Sequence, residues 1–252
     1  MLRDTAMADK ALDDHSISMN DGEGGEVRLA LWHHPGDSIY GMVARSERIV
    51  DAMEQVLGGE VYHCHSKMIM KDAKIGGAWT WHQDYGYWYF NGVLTPDLAS
   101  MSIAVDAATR ENGCLQIIPG SHKLGRIEHI LSGDQAGADV VRVEKILERM
   151  PLMYVEMQPG DGLMFHCNTL HRSDANRSDS PRWSMICCYN AARNDPYMDS
   201  HQPRYTPLHK VPDAAVKEAG RQRRTDTGNM DWLRKEADVS LQQLHQRRTV
   251  PL

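Results

Sequence analysis

Residues 160–190 read GDGLMFHCNTLHRSDANRSDSPRWSMICCYN. The turn signal Gly160-Asp161-Gly162 feeds one apolar run, and a polar stretch separates it from a second, RWSMICCYNAA (182–192). Apolar runs this short, bounded by Gly, Asp, Asn and Ser, are strand signals. The signal recurs at EVRLALW (26–32), VYHCHSKMIMK (61–71), the start of GAWTWHQDYGYWYF (77–90), MSIAVDAA (101–108), CLQIIPGSH (114–122) and PLMYVEMQ (151–158). A helical period over 45–57 closes at Gly58-Gly59. Seven or eight strands with one or two flanking helices predict a mainly β domain. It should be closed or sandwich-like, because so many short strands must remove their edges.

At 252 residues, 1–252 suits a single domain. Residues 1–25, Gly-rich at DGEGGE, read as a loose leader, and 123–150 as an insertion over the barrel mouth, with VVRVEKILERM a strand passing into a helix. Residues 196–252 turn Pro-rich and then helical. Hydrophobic residues at 41% and charged residues at 25% are ordinary globular usage. A net charge of −6 argues against nucleic acid or an anionic membrane as partner, and no apolar run nears the ~18 residues of a bilayer span. MLRDTAMADKALDD lacks the apolar centre of a secretory signal, and Met7 is an alternative start. Five cysteines without a CxxC pair predict reduced thiols and a cytoplasmic location. Oligomeric state is left open.

Histidine is enriched, with thirteen residues against two phenylalanines. On a strand, residues i and i+2 share a face, so His82 and Asp84 of Trp81-His82-Gln83-Asp84 aim into one space. They make two thirds of a 2-His-1-carboxylate triad, which leaves open positions on Fe(II). His171 is the best third ligand. Ser173 and Arg182 follow it by two and eleven residues. A ferrous site of this type activates O2 with 2-oxoglutarate as reductant, and the distal carboxylate of 2-oxoglutarate needs a fixed cation. The Arg182 guanidinium suits it, with the Ser173 hydroxyl as a second donor. The alternatives are an Arg182 paired with a protein acid or exposed at a strand start.

Taken together, YHCHSK, WHQDYGYW, ENGCLQIIPGSHK, GDGLMFHCNTLHRSDANRS and PRWSMICCYN, spread over about residues 61–190, resemble the phytanoyl-CoA dioxygenase family. That family includes the bacterial ectoine hydroxylases and lies within the Fe(II)/2-oxoglutarate oxygenase superfamily. The resemblance implies a double-stranded β-helix, a cupin-like jelly roll, with iron at one open end. It implies His82, Asp84 and His171 as iron ligands and catalytic centre, and Arg182 and Ser173 at the 2-oxoglutarate tail. It also implies Trp79 in the cosubstrate pocket and Trp88 on the substrate side. The implied reaction hydroxylates a C–H bond of a small molecule with O2, releasing succinate and CO2. Desaturation and cyclisation share its early steps, whereas halogenation is disfavoured because related halogenases lack the carboxylate that Asp84 supplies. His65 stands where ectoine hydroxylases carry glutamine, and Ile69 where many relatives carry asparagine. The ectoine signature after the HxD motif is also missing, so a substrate other than ectoine is expected.

Seven of the seventeen aromatic residues lie between Trp79 and Phe90. Some are barrel core, but clustering beside a ligand points Tyr85, Tyr87 and Trp88 to a substrate cavity. His63 and His65 share a strand face, with His65 as a pocket wall. Two competing classes are a non-catalytic ligand-binding barrel and a cupin-like zinc or manganese enzyme. Neither needs both the triad and the matched arginine.

Overall fold

The computed structural model describes residues 1–132, 134–225 and 230–249; 250–252, the end of the expected helical tail, lie outside them. Helices α1 (Leu2–Ala8) and α2 (Lys10–Asp14) precede strands β1 (Ile17–Asn20) and β2 (Glu26–Trp32). Next come α3 (Ile39–Ala44), α4 (Glu47–Leu57), β3 (Val61–Lys71), β4 (Trp79–His82), α5 (Asp84–Trp88), β5 (Leu98–Ala104) and β6 (Leu115–Ile117). A hairpin of β7 (His129–Ser132) and β8 (Gln135–Ala138) runs into α6 (Val140–Leu147). Strands β9 (Met153–Val155), β10 (Gly162–His166), β11 (His171–Ser173) and β12 (Arg182–Ala191) follow, then α7 (Asp213–Arg221) and α8 (Val239–Thr249).

Six strands pair in the order β1-β2-β3-β12-β5-β10 and four in the order β4-β11-β6-β9. From β3 to β12 the chain passes back and forth between these sheets, which is the winding of the expected jelly roll. Alternation then sorts side chains by face. On β3, His65, Lys67 and Ile69 line an internal cavity, while Met68 and Met70 join the core outside. On β12, Arg182, Ser184 and Ile186 face inward, and Trp183, Met185 and Cys187 face outward. Helix α4 covers that outer face through Ile49, Val50, Met53 and Leu57, a helical 3–4 spacing. It stops at Gly58, whose φ of +73° is the left-handed cap expected of Gly-Gly.

Several expectations are corrected. Residues 1–25 are no loose leader: Asp9 caps α2 and accepts a hydrogen bond from Tyr40, and Thr5, Ala6, Leu12 and Met19 are buried. Eight α-helices stand among the described residues instead of one or two. VVRVEKILERM carries no strand; the strands of that segment lie earlier, in the β7–β8 hairpin, and α6 begins at Val140 with Asp139 as its cap. A register shift opposite Cys188/Tyr189 leaves Cys64 as an extra residue on β3. It turns His63 away from His65, so His63 bonds Ser66 and the His33 carbonyl while His65 faces the cavity.

The β7–β8 hairpin is seated on α5 at Gly86, where an added Cβ would fall 2.2 Å from the His129 ring. Gly86→Ala is therefore expected to destabilise by about 1–3 kcal/mol, despite alanine's better helix propensity. An unchanged urea midpoint would contradict that seating.

Candidate metal centre and cosubstrate pocket

His82 ends β4, Asp84 opens α5, and His171 opens β11 directly opposite His82 in the ladder. The two imidazole centroids lie 4.1 Å apart, and His171 Nε2 lies 3.8 Å from Asp84 Oδ1. One ligand atom from each of the three buried side chains falls within 4.8 Å of the others. Among the described residues no other group of His, Cys, Asp or Glu could hold a metal this way.

Neighbouring groups orient each ligand. Thr80 and Thr169 carbonyls accept from Nδ1–H of His82 (2.8 Å) and His171 (2.9 Å). Each Nε2 is therefore the free lone pair. Burial pushes both imidazole pKa values down, so both rings are neutral near pH 7. Asp84 Oδ2 accepts from the Ser100 hydroxyl at 2.8 Å, leaving Oδ1 for the centre. Burial alone would raise the Asp84 pKa, but Lys67, His171 and His82 together hold it at about 2. Two neutral nitrogens and one carboxylate fit Fe(II) with open positions.

Gln83, between two of these residues, is fully buried and ties the site together. Its amide donates to the Gly125 and Asn168 carbonyls, and its oxygen accepts from Ile127 N–H. Its own N–H donates to His129 Nε2. Segment 125–129, which sequence placed over the mouth, instead clamps the β4–α5 junction from behind.

A cavity opens beside the triad, lined by Arg182, Ser173 and Trp79 among others. Arg182 is buried, and among the described residues its guanidinium has no acid partner; its Nε bonds nothing. The alternatives of a protein counter-ion or an exposed strand start therefore fail. Burial pushes its pKa down to about 10, so it stays charged near pH 7. Trp79 Nε1 is a second buried donor without an acceptor, and Trp79 pairs across the ladder with Ser173. The Lys71 ammonium donates to the Ser173 and Asp174 carbonyls and so fixes that end of β11. Unmatched donors in a largely apolar pocket fit a carboxylate ligand such as the tail of 2-oxoglutarate.

Three of the four expected substrate contacts line the same cavity: His65, Tyr87 and Trp88. His65 Nδ1–H donates to Gln202 at 3.0 Å and meets Trp88 edge-on. The Tyr87 hydroxyl is engaged by the backbone of Ala136, so this residue offers only its ring. Tyr85 does not reach the cavity. Because the strand stops at His82, the helical step puts Asp84, Tyr87 and Trp88 on one face and turns Tyr85 away. Its hydroxyl donates to the Val93 and Leu94 carbonyls instead. Sequence reading missed Lys67 and Ser184, each two residues along a strand from a residue it had named. It also missed the cap, where Gln202, His201, Leu233 and Leu241 close the cavity and no described residue of 123–150 lines it.

The phytanoyl-CoA dioxygenase (PhyH) family model matches residues 2–184. L-proline trans-4-hydroxylase of Streptomyces griseoviridis is 31% identical over 186 residues, covering 68% of this chain and 69% of that protein. Ectoine dioxygenase of Sphingopyxis alaskensis is 28% identical over 200 residues, covering 75% of this chain and 65% of that protein, slightly under two thirds of its length. In fold, the chain resembles EctD from S. alaskensis, solved with 2-oxoglutarate and 5-hydroxyectoine (TM-score 0.69, 24% identity, 84% of this chain and 78% of that one). It also resembles the carbocyclase SnoK from nogalamycin biosynthesis (TM-score 0.63, 20% identity, 92% and 83%). With the winding of its sheets, its triad and a family match over most of its length, the chain belongs to the phytanoyl-CoA dioxygenase family of Fe(II)/2-oxoglutarate oxygenases.

Proposed function

We propose that the chain hydroxylates a C–H bond of a small organic molecule, with Fe(II) held by His82, Asp84 and His171 and 2-oxoglutarate anchored by Arg182. The observation that carries this is a buried guanidinium with no acid partner among the described residues, in the same cavity as three converging candidate ligand side chains. Bound iron supplies dioxygen activation coupled to decarboxylation of 2-oxoglutarate to succinate and CO2, and the oxidising power for the substrate. His82 and His171 present neutral Nε2 atoms, and Asp84 presents Oδ1. The Arg182 donor fork matches the distal carboxylate, with Ser173 and Trp79 Nε1 as further donors. Ile69, Leu115 and Ile186 exclude water there. Tyr87, Trp88 and His65 wall the space for the primary substrate. Relatives named for L-proline and ectoine support a small substrate. Five buried, unpaired cysteines support a reducing, cytoplasmic compartment.

Metal-stripped protein is expected to form no succinate from 2-oxoglutarate and to regain activity with Fe(II). No succinate after Fe(II) reconstitution, with Zn(II) bound at the triad, would instead favour a redox-inert cupin enzyme. Gln83→Ala is expected to weaken Co(II) binding by about 10- to 100-fold, the usual scale for groups that orient ligands. An unshifted Co(II) titration and visible spectrum would leave Gln83 with a packing role only.

A further inference from the structure

Of the cations that line the cavity, Arg182 is assigned to the cosubstrate, Arg172 pairs with Asp174 and Lys235 with Asp134, which leaves Lys67. Lys67 projects inward from β3 between His65 and Ile69, and its side chain keeps only 18% exposure. Among the described residues its single ion pair is to Asp84 Oδ1 at 3.8 Å, too long for a hydrogen bond. In the proposed oxygenase, on which this inference rests, that oxygen belongs to the metal. The ammonium then faces a cavity whose other walls include Leu29, Leu31, Ile186 and Trp88. A largely desolvated ammonium among such walls is stabilised by an anion that can reach it. 2-Oxoglutarate directs its distal carboxylate to Arg182 and its chelating end to the metal, and whether Lys67 serves the uncoordinated oxygen of that end or the primary substrate is what the Lys67→Met affinity for 2-oxoglutarate separates.

We infer that Lys67 binds the carboxylate of the primary substrate, so that the enzyme selects small carboxylic acids with a compact apolar or cyclic body. The body packs against Trp88 and Leu31, while the anchored carboxylate fixes which carbon faces the metal. Lys67 is thus a specificity-determining residue.

The test uses matched acid and amide probes: L-proline with L-prolinamide, cyclohexanecarboxylate with its amide, and benzoate with benzamide. Each is titrated by calorimetry into full-length protein loaded with Zn(II) and 2-oxoglutarate. On wild type and Lys67→Arg, at least one acid should bind about ten-fold or more tighter than its amide. On Lys67→Met that preference should vanish while affinity for 2-oxoglutarate stays within about two-fold. If no acid outbinds its amide on wild type, or the preference survives in Lys67→Met, the inference is overturned. It is equally overturned if Lys67→Met weakens 2-oxoglutarate as much as Arg182→Ala does, because the lysine would then serve the cosubstrate. Failure of wild type to bind 2-oxoglutarate at all would instead strike the oxygenase reading itself.

Discussion

Alanine at His82 or His171 is expected to remove bound iron and 2-oxoglutarate turnover together, lowering succinate formation by at least about a thousandfold. Each ring is already oriented by a backbone carbonyl, neutral and pointed at its partner, so nothing else in the cavity replaces its Nε2. The fold should survive, because each loss removes a buried polar ring that costs desolvation rather than an apolar core residue. Iron content by atomic absorption, with far-UV circular dichroism as the control, checks the pair. A folded variant that keeps one iron per chain and its activity would strike that histidine from the ligand set. Asp84→Ala belongs to the same experiment, with Ser100 and Lys67 left facing a vacated carboxylate position.

Arg182→Ala is expected to weaken 2-oxoglutarate binding by about 30- to 3000-fold, equivalent to about 2–5 kcal/mol for truncating one partner of a buried charge pair. Iron content should hold, since among the described residues no hydrogen bond or ion pair joins Arg182 to the triad. Arg182→Lys should fall between, because a point charge cannot reproduce the guanidinium fork. The stability of the ligand-free protein separates a binding role from a structural one. A structural arginine would be missed when replaced, whereas this one is a buried charge with no acid partner among the described residues. Arg182→Met should therefore melt no lower than wild type without 2-oxoglutarate, and should lose the ligand-induced rise in Tm. A lower Tm in the absence of ligand would show that the side chain serves the fold first.

Much of the site was legible because its parts recur at short spacing. His82 and Asp84, and the run from His171 through Ser173 to Arg182, lie within short local stretches, although Asp84 reaches the site from the first turn of α5 and not by strand alternation. Lys67 was within reach by the same reasoning, two residues from His65 on a strand whose bounds, 61–71, match the expectation. Tyr85 failed because alternation was carried past His82, where the backbone changes from a period of two to one of 3.6. His63 failed because one extra residue in a ladder reverses the facing of everything before it, and a bulge leaves no mark in hydrophobic pattern. The leader failed because its apolar residues are sparse, and only contact with α3 and its neighbours buries them.

Sequence by itself determined the class of fold and pointed to three candidate ligand side chains and an arginine, since local period and spacing set which groups can share a face. Tertiary structure decided the rest. That Arg182 lacks an acid among the described residues, that Gln202, Leu233 and Leu241 cap the cavity, and that Gln83 binds β4 to distant loops all depend on segments far apart in the chain. Such contacts form only when the closing of two sheets brings those segments together, and no local pattern of residues encodes which ones will meet.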